Sequence, residues 1–337
     1  MTKGTSSIQL EVPGHAVWEL LVGPGRRDWY YRLTPQGEFA DGAHITWVDG
    51  EGKPVEESDV VAVEPKRRLV LRTRFVFAPV LAAAAPHVVT WELTGEGDRC
   101  EAQMSWEAEG PATSMLASEA SSQLEGLRLA ADPAARAGLA RLDRIGEIEV
   151  RDVSPELLPA YLDFFDHRAF LDFPEWRSCY CLETHRPASL SDGEWAQPVA
   201  EANRHDMSTS IMRGEVTALL AFEGGKPIGW CDYGETTLLS GVMHRFGLTA
   251  PDHEGVGSVA CFVIASPYRG HGVASRLLDA AVDRLRAKGM NAVEAYPTRS
   301  GDSQHTNYRG PLAMFLRAGF EPYREAGRHL ILRKRLG

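Results

Sequence analysis

The sequence predicts an α+β protein of two domains, and three observations carry that expectation. The chain has 337 residues, more than one ordinary domain holds and comfortable for two. Up to about Glu109 it reads mostly as strands with period-two alternation and short turns. From Ile148 onward strands and helices alternate, the pattern of a sheet with helices on its faces. The expected divisions are a first domain at 1–132, a linker at 133–146 and a second domain at 147–337.

In the first half, Ile8 to Val12 alternates as a half-buried strand should, and Pro13 opens a short helix carrying Val17, Trp18, Leu20 and Leu21. Gly23-Pro24-Gly25 stops that helix. Strands are expected at Ala43 to Val48, Ser58 to Val63, Arg68 to Phe77, His87 to Leu93 and Cys100 to Glu107. After Gly110-Pro111, Ser114 to Ala131 reads as one amphipathic helix, ended by Asp132-Pro133. The second half opens on the strand Ile148 to Val150 and a helix at Pro155 to Phe165. A loop-rich insertion follows, and then helix, three strands, helix, strand, helix and strand.

Composition excludes several classes. A chain 44% hydrophobic and 24% charged can bury real cores and is not disordered. Net charge is −10, and up to Gly146 there are 15 basic and 21 acidic residues, so neither half is a basic module suited to nucleic acid. Five cysteines without periodic spacing make no disulfide framework, and a cytoplasmic location is expected. The N-terminus has no signal-peptide core, and Val76 to Pro86 is too short to cross a bilayer. The acid-rich balance mildly favours a cationic acceptor.

The strongest local signal is a strand, a glycine-rich turn and a helix. Ser258 to Ile264 is an apolar strand of the buried kind, and Arg269-Gly270-His271-Gly272-Val273-Ala274 follows a short turn. Val273, Leu277, Leu278, Ala281 and Leu285 recur at helical spacing up to Lys288-Gly289. Such an element captures anions: glycines let the backbone approach a ligand, and the first helical N–H groups point at it. The pattern is neither the phosphate loop of nucleotide triphosphatases nor the dinucleotide fingerprint.

Arg269, Gly272 and Ala274, read with the preceding strand, resemble the coenzyme A signature of the GNAT N-acetyltransferase superfamily. The resemblance runs from Ile148 to Leu336. It includes Lys226 to Cys231 as the strand before the cofactor strand, Asn291 to Tyr296 as the strand after it, and Ala313 to Phe320 as the late helix with its Gly-Phe ending. It implies acetyl-CoA as co-substrate and a mixed sheet whose central strands splay apart. It also implies that Phe262, Val263 and Ile264 offer main-chain groups to the pantetheine arm. Arg269, Gly270, His271, Gly272, Val273, Ala274 and Ser275 would hold the diphosphate. Val263 or a neighbour would supply the oxyanion donor. The family's usual acid position, a tyrosine, is Phe315 here, which cannot donate a proton; Tyr308 is the expected substitute, with Tyr296 and His305 nearby.

Acyl transfer to an amine requires a neutral amine, so a base is sought beside the cofactor strand. Glu254 is the leading choice, His253 the second, with Asp232 and Glu235 in reach of the same groove. Cys261 reads as a buried structural thiol. Cys179-Tyr180-Cys181 with His185 and His167 lacks zinc spacing, and no metal site is expected. Trp176, Tyr180 and Trp195 are read as an acceptor-side wall or as core.

The first half resembles the START-like (SRPBCC) superfamily, in its activator-of-heat-shock-ATPase-like branch. The carrying residues are Val12-Pro13 through Trp18, Pro65 to Leu71, and Thr90 to Leu93. The resemblance implies a helix-grip fold whose cavity takes an apolar ligand, with Trp29, Tyr30, Trp47, Phe75, Phe77, Trp91 and Trp106 as lining or as core. Together these readings predict an acetyl-CoA-dependent N-acetyltransferase acting on a small-molecule or protein amine, without nucleic-acid or membrane partners. The competing readings are a ligand-sensing or chaperone-assisting protein whose GNAT fold is catalytically silent, and a transferase of longer acyl groups.

Overall fold

Alternation in the first half becomes a seven-stranded antiparallel sheet, as the computed structural model shows; it describes residues 1–186, 200–299 and 307–337. Its strands are β1 (Thr2–Leu10), β2 (Thr34–Gln36), β3 (His44–Val48), β4 (Pro54–Glu64), β5 (Arg68–Phe75), β6 (His87–Thr94) and β7 (Cys100–Ala108), in the order β1-β7-β6-β5-β4-β3-β2. β1 runs further back than the alternation at Ile8 predicts, because it pairs with β7 from Thr2↔Ala108 to Leu10↔Cys100. Helices α1 (Gly14–Val22), α2 (Pro79–Ala82) and α3 (Pro111–Ala131) accompany the sheet. α3 starts with Pro111 at its first position and lies against β1 and β7. It buries Leu116, Ala120, Leu124 and Leu127, three and four residues apart as one helical face requires.

The inward positions of β3 to β7 pack with α1 and α3 into one core that includes Val17, Ile45, Leu69, Met104 and Leu127. Trp29, Tyr30, Trp47, Phe75 and Trp91 line a cavity of about 30 Å³ in it. Phe77 is instead partly exposed, and Trp106 is buried elsewhere in the core. This first unit comprises Met1–Leu139 together with Asp172–Ser178, so the latter stretch does not group with the second domain as expected. The physical reason is local packing. The Arg32 guanidinium sits 4.9 Å from the Phe173 ring, and Glu175 is buried near α3. Trp176, expected at the acceptor wall, is partly exposed on this unit.

The second unit takes Ala140–Leu171, the residues from Cys179, and Ala202–Gly337. α4 (Pro133–Ala137) precedes it, capped by the Asp132 carboxylate. Its strands are β8 (Glu149–Asp152), β9 (Ala218–Glu223), β10 (Lys226–Glu235), β11 (Val256–Ile264), β12 (Ala292–Ala295), β13 (Glu321–Ala326) and β14 (His329–Arg335). Its helices are α5 (Leu158–His167), α6 (Ala200–Met212), α7 (Ser240–Phe246), α8 (Val273–Ala287) and α9 (Leu312–Arg317). The sheet order is β13-β14-β12-β11-β10-β9-β8, with only the β11–β12 pair parallel. The fold class is α+β, as the alternation predicts, with a mixed second sheet.

Two adjacent residues of β10 explain how helices cover both faces. Gly229 faces α8: a Cβ there would lie 2.9 to 3.3 Å from Ile264, Val273 and Leu277, so only glycine admits the helix so close. Trp230 points the opposite way and packs on Tyr161 and Phe165 of α5, with ring centroids 5.2 and 5.4 Å apart. The close seat of α8 brings its N-terminus to the end of β11.

Candidate active site

The parallel ladder between β11 and β12 runs only from Val256↔Ala292 to Val259↔Ala295, while β11 continues to Ile264. The strands therefore part from Ala260 onward. Residues 308 and 309 stand against the parted stretch: Phe262 N–H donates to the Tyr308 carbonyl at 2.6 Å, and the Arg309 side chain donates from Nη1 to the Ala260 carbonyl at 3.0 Å. Arg309 is almost wholly buried, and its Nη2 meets the Glu183 carboxylate at 3.1 and 3.2 Å.

Strand alternation settles which amides face the parting. Ala265 N–H donates to Ile228 of β10, so odd-numbered residues here turn their main chain to β10 and even-numbered ones away from it. Val263 therefore cannot be the oxyanion donor expected of it, because its amide faces β10. Phe262 already donates to Tyr308, which leaves the Ile264 amide as the strand donor turned away from β10 beyond that contact. The Ile264 carbonyl accepts from Arg269 Nε at 2.8 Å, so the Arg269 side chain braces the turn.

The glycine loop has the conformation its sequence predicts. Gly270 and Gly272 adopt φ of +78° and +81°, in the left-handed region. Gly272 forms the N-cap of α8, and no side chain caps that helix. The amides of Val273, Ala274 and Ser275 occupy the first turn, where no intrahelical acceptor exists. Among the described residues, no atom beyond its chain neighbours comes within 4 Å of a notional Cβ on Gly272. Residues 141–142 flank the loop. Leu142 N–H donates to the Pro267 carbonyl at 3.0 Å, His271 donates from Nε2 to the Leu142 carbonyl at 2.8 Å, and Arg141 Nη2 reaches the Gly270 carbonyl at 3.2 Å.

The expected base does not meet this site. Glu254 is exposed just before β11, at the end where β11 and β12 are paired, and roughly 25 Å of extended chain separates it from Phe262. His253 is buried at that same end, with Nε2 3.4 Å from Glu294 and Nδ1 on the Thr249 carbonyl. Sequence distance said nothing about which end of β11 opens.

A different pair lies level with the parting. Asp232 is the cross-strand partner of Cys261, is fully buried, and has its Oδ2 3.0 Å from Nε2 of His185. The approach is an ion-pair contact rather than an in-line hydrogen bond, and Thr184 donates its hydroxyl to the same oxygen. Asp232 Oδ1 has no partner among the described residues. Burial alone would lower the His185 pKa; the Asp232 charge and contact outweigh it, so the value is raised. The sequence named both residues, Asp232 as a reserve base and His185 in a weak metal cluster, but nothing in it joined them.

Tyr308 stands beside the cofactor strand through its carbonyl, and its ring lies 5.1 Å from the Arg309 guanidinium. Phe315 is buried against Phe262 and Phe320 and serves packing. Tyr296 is buried, with its hydroxyl 2.6 Å from Ser258. Cys181 Sγ approaches Cys261 Sγ to 3.5 Å, and Tyr180 donates its hydroxyl to Asp166 at 2.8 Å. His305 and Trp195 lie outside the described residues. No helix among the described residues is long and apolar enough to cross a membrane.

Residues 173–309 match the model of the acetyltransferase (GNAT) family, which supports a GNAT acetyltransferase domain in that part of the chain. No curated protein matches. Solved structures that resemble the chain include CalU16 from Micromonospora echinospora, at 18% identity and a TM-score of 0.31, over 38% of this chain and 72% of that one. Another is the PaiA N-acetyltransferase from Thermoplasma acidophilum in complex with coenzyme A, at 16% identity and 0.36, over 56% and 99%. A third is YncA, a putative acetyltransferase from Salmonella typhimurium with acetyl-CoA, at 12% and 0.35, over 57% and 95%.

Proposed function

We propose that this protein is an acetyl-CoA-dependent N-acetyltransferase acting on an amine, its catalysis carried by the second unit. The observation that carries the reading is the uncapped N-terminus of α8, behind two left-handed glycines, at the end of β11 where it has parted from β12. That arrangement supplies a row of main-chain donors for a diphosphate beside the stretch of β11 that has left its ladder with β12. The residues present fit the group: among the described residues the space before Gly272 is clear, and Arg141 adds a cation to the same face.

Acetyl-CoA supplies an activated acyl group, and the chain must position it, remove a proton from the amine and steady a developing oxyanion. The Ile264 amide is the strand donor placed for the oxyanion. His185 is the base. Nε2 faces the Asp232 carboxylate in an ion-pair contact, which leaves Nδ1 to accept the amine proton, and the raised pKa strengthens it as a base near neutral pH. Tyr308 is the acid for the departing thiolate, a step that a thiol of ordinary acidity makes with modest help.

The first unit is a START-like small-molecule-binding module in this reading. Its support is an antiparallel sheet with a long final helix against it and an aromatic-lined cavity in the core. The acidic net charge favours a cationic acceptor such as a polyamine, an aminoglycoside-type compound or a protein amine.

A thiol-release screen with acetyl-CoA over a panel of primary amines tests the activity. Turnover with at least one amine is expected, falling on the order of 10²-fold or more in His185→Ala while coenzyme A binding persists. Firm coenzyme A binding with no thiol release across the panel would leave a silent binder instead.

A further inference from the structure

The first unit buries a polar cluster that its core does not need. At one end of the sheet, the inward positions of β4, β5 and β6 carry Glu56, Ser58, Thr73 and His87 where aliphatic residues would pack better. Ser58 pairs with Thr73 and Thr73 with His87, so these three form one row across three strands. Glu56 accepts from Tyr30 Oη at 2.6 Å and from Ser58 Oγ at 3.3 Å. Its partners are hydroxyls, and among the described residues no lysine or arginine lines the cavity with it. The His87 ring lies 4.6 Å from that of Phe75, and its buried Nε2 has no hydrogen-bond partner among the described residues.

Tyr30, Glu56, Thr73 and His87 face the 30 Å³ cavity already described. Its polar offer is one-sided. Glu56 is a carboxyl without a counter-charge, His87 Nε2 is a free lone pair when the proton sits on Nδ1, and Trp29, Trp47 and Trp91 present rings around them. Carboxylate, imidazole lone pair and aromatic faces share one preference, a small cation. The volume corresponds to about two waters, so a head group fits and a bulky ligand does not.

We propose that this cavity binds the head of a small primary alkylammonium ion, its nitrogen held by Glu56 and His87 Nε2 and its first methylene packed among the rings. The site deepens the small-molecule reading of the first unit on which it rests, and it makes the ligand's recognised end charged rather than wholly apolar. Burial raises the Glu56 pKa to about 7 despite its hydroxyl partners and lowers that of His87 to about 4. His87 is therefore neutral at physiological pH, and an entering cation favours the ionised Glu56. The other titratable groups near Glu56 are Tyr30 from the segment after α1 and Tyr31 beside it, both pushed further up, with Glu119 of α3 hydrogen-bonded to Tyr31. Gln123 of α3 faces the cavity without charge.

The full chain is titrated with ethylammonium chloride, and with ethanol as its neutral counterpart, at pH 6 and pH 8 and constant ionic strength. Tryptophan indole NMR signals and calorimetry provide the readouts. The expected result is ammonium binding at least tenfold tighter than ethanol, tightening roughly tenfold from pH 6 to pH 8 as Glu56 ionises. Glu56→Gln, which keeps shape and hydroxyl partners, should lose both the binding and its pH dependence while the circular dichroism spectrum persists. Should that variant fail to fold, the pH dependence of the native chain and His87→Phe, expected to weaken binding severalfold, still decide. Equal binding of ethanol and ethylammonium would overturn the cation claim and leave an apolar small-molecule site. Ammonium binding unchanged in Glu56→Gln would place it elsewhere and overturn the site. No binding of either probe would overturn this site while leaving the small-molecule reading of the first unit to be tested with other ligands.

Discussion

Nε2 of His185 lies 3.0 Å from Oδ2 of Asp232, joining the stretch that follows Cys181 to the middle of β10. If this pair is the base, the acid limb of kcat/KM against pH reports the His185 pKa, held above its usual value by Asp232. Asp232→Asn removes the carboxylate and leaves burial, which lowers the pKa. The limb should therefore move to lower pH while turnover falls about tenfold or more. A steady-state pH profile checks this, and an unmoved limb would remove His185 from the chemistry.

Arg309 and Glu183 should respond unequally to neutralisation. Arg309 is 1% exposed and Glu183 31%, and Arg245 also reaches Glu183 at 3.3 Å. Glu183→Gln strands a guanidinium that water cannot reach, which costs roughly 3–5 kcal/mol. Arg309→Met leaves a carboxylate that still has Arg245 and solvent, so its cost should be smaller. Denaturant melts of the two variants test the order, and a greater loss in Arg309→Met would contradict it.

Buried acids give the first unit an inverted pH dependence. Burial raises the Glu119 pKa to about 7 from the usual 4.5. Between those values the folded state keeps a proton that the unfolded state has released, so this group's contribution to stability falls as pH rises through the window. By pH 8 the cost is on the order of 3 kcal/mol. Glu119→Gln, still able to accept from Tyr31, should match the native chain in urea midpoint at pH 5 and exceed it at pH 8. Equal midpoints at both pH values would refute the assignment.

Arg141 is an exposed cation resting on the glycine loop by way of the Gly270 carbonyl. Replacing it with alanine should weaken coenzyme A binding roughly fivefold at low salt, about 1 kcal/mol for a screened charge, and less at high salt. Salt-dependent titration reads this directly, and a salt-independent effect would indicate a packing role.

What was legible in the sequence is what local chemistry dictates. An apolar run predicts a strand at Ser258 to Ile264, observed as Val256–Ile264, and two glycines before a 3.6-period helix give left-handed φ at Gly270 and Gly272. The period-two strands β3 to β7 lie within a few residues of expectation, whereas β1 starts six residues earlier and the short β2 carries no period-two signal. Long-range placement was not legible. Nothing local says that β11 opens at its C-terminal end, which strands Glu254 at the wrong one, or that His185 reaches Asp232 across 47 positions. Glu56 and His87 escaped notice because each stands at a strand position whose burial depends on partners from other strands. The grouping of Asp172–Ser178 with the first unit likewise depends on Arg32 meeting Phe173, a contact no spacing announces.

The most direct measurement is calorimetric titration of the chain with coenzyme A, repeated on Gly272→Glu. The amides at the start of α8 should bind the diphosphate in the native chain, and a carboxylate placed among them should abolish the heat while the second unit stays folded. Absence of binding to the native chain, or an unchanged isotherm in the variant, would contradict the account.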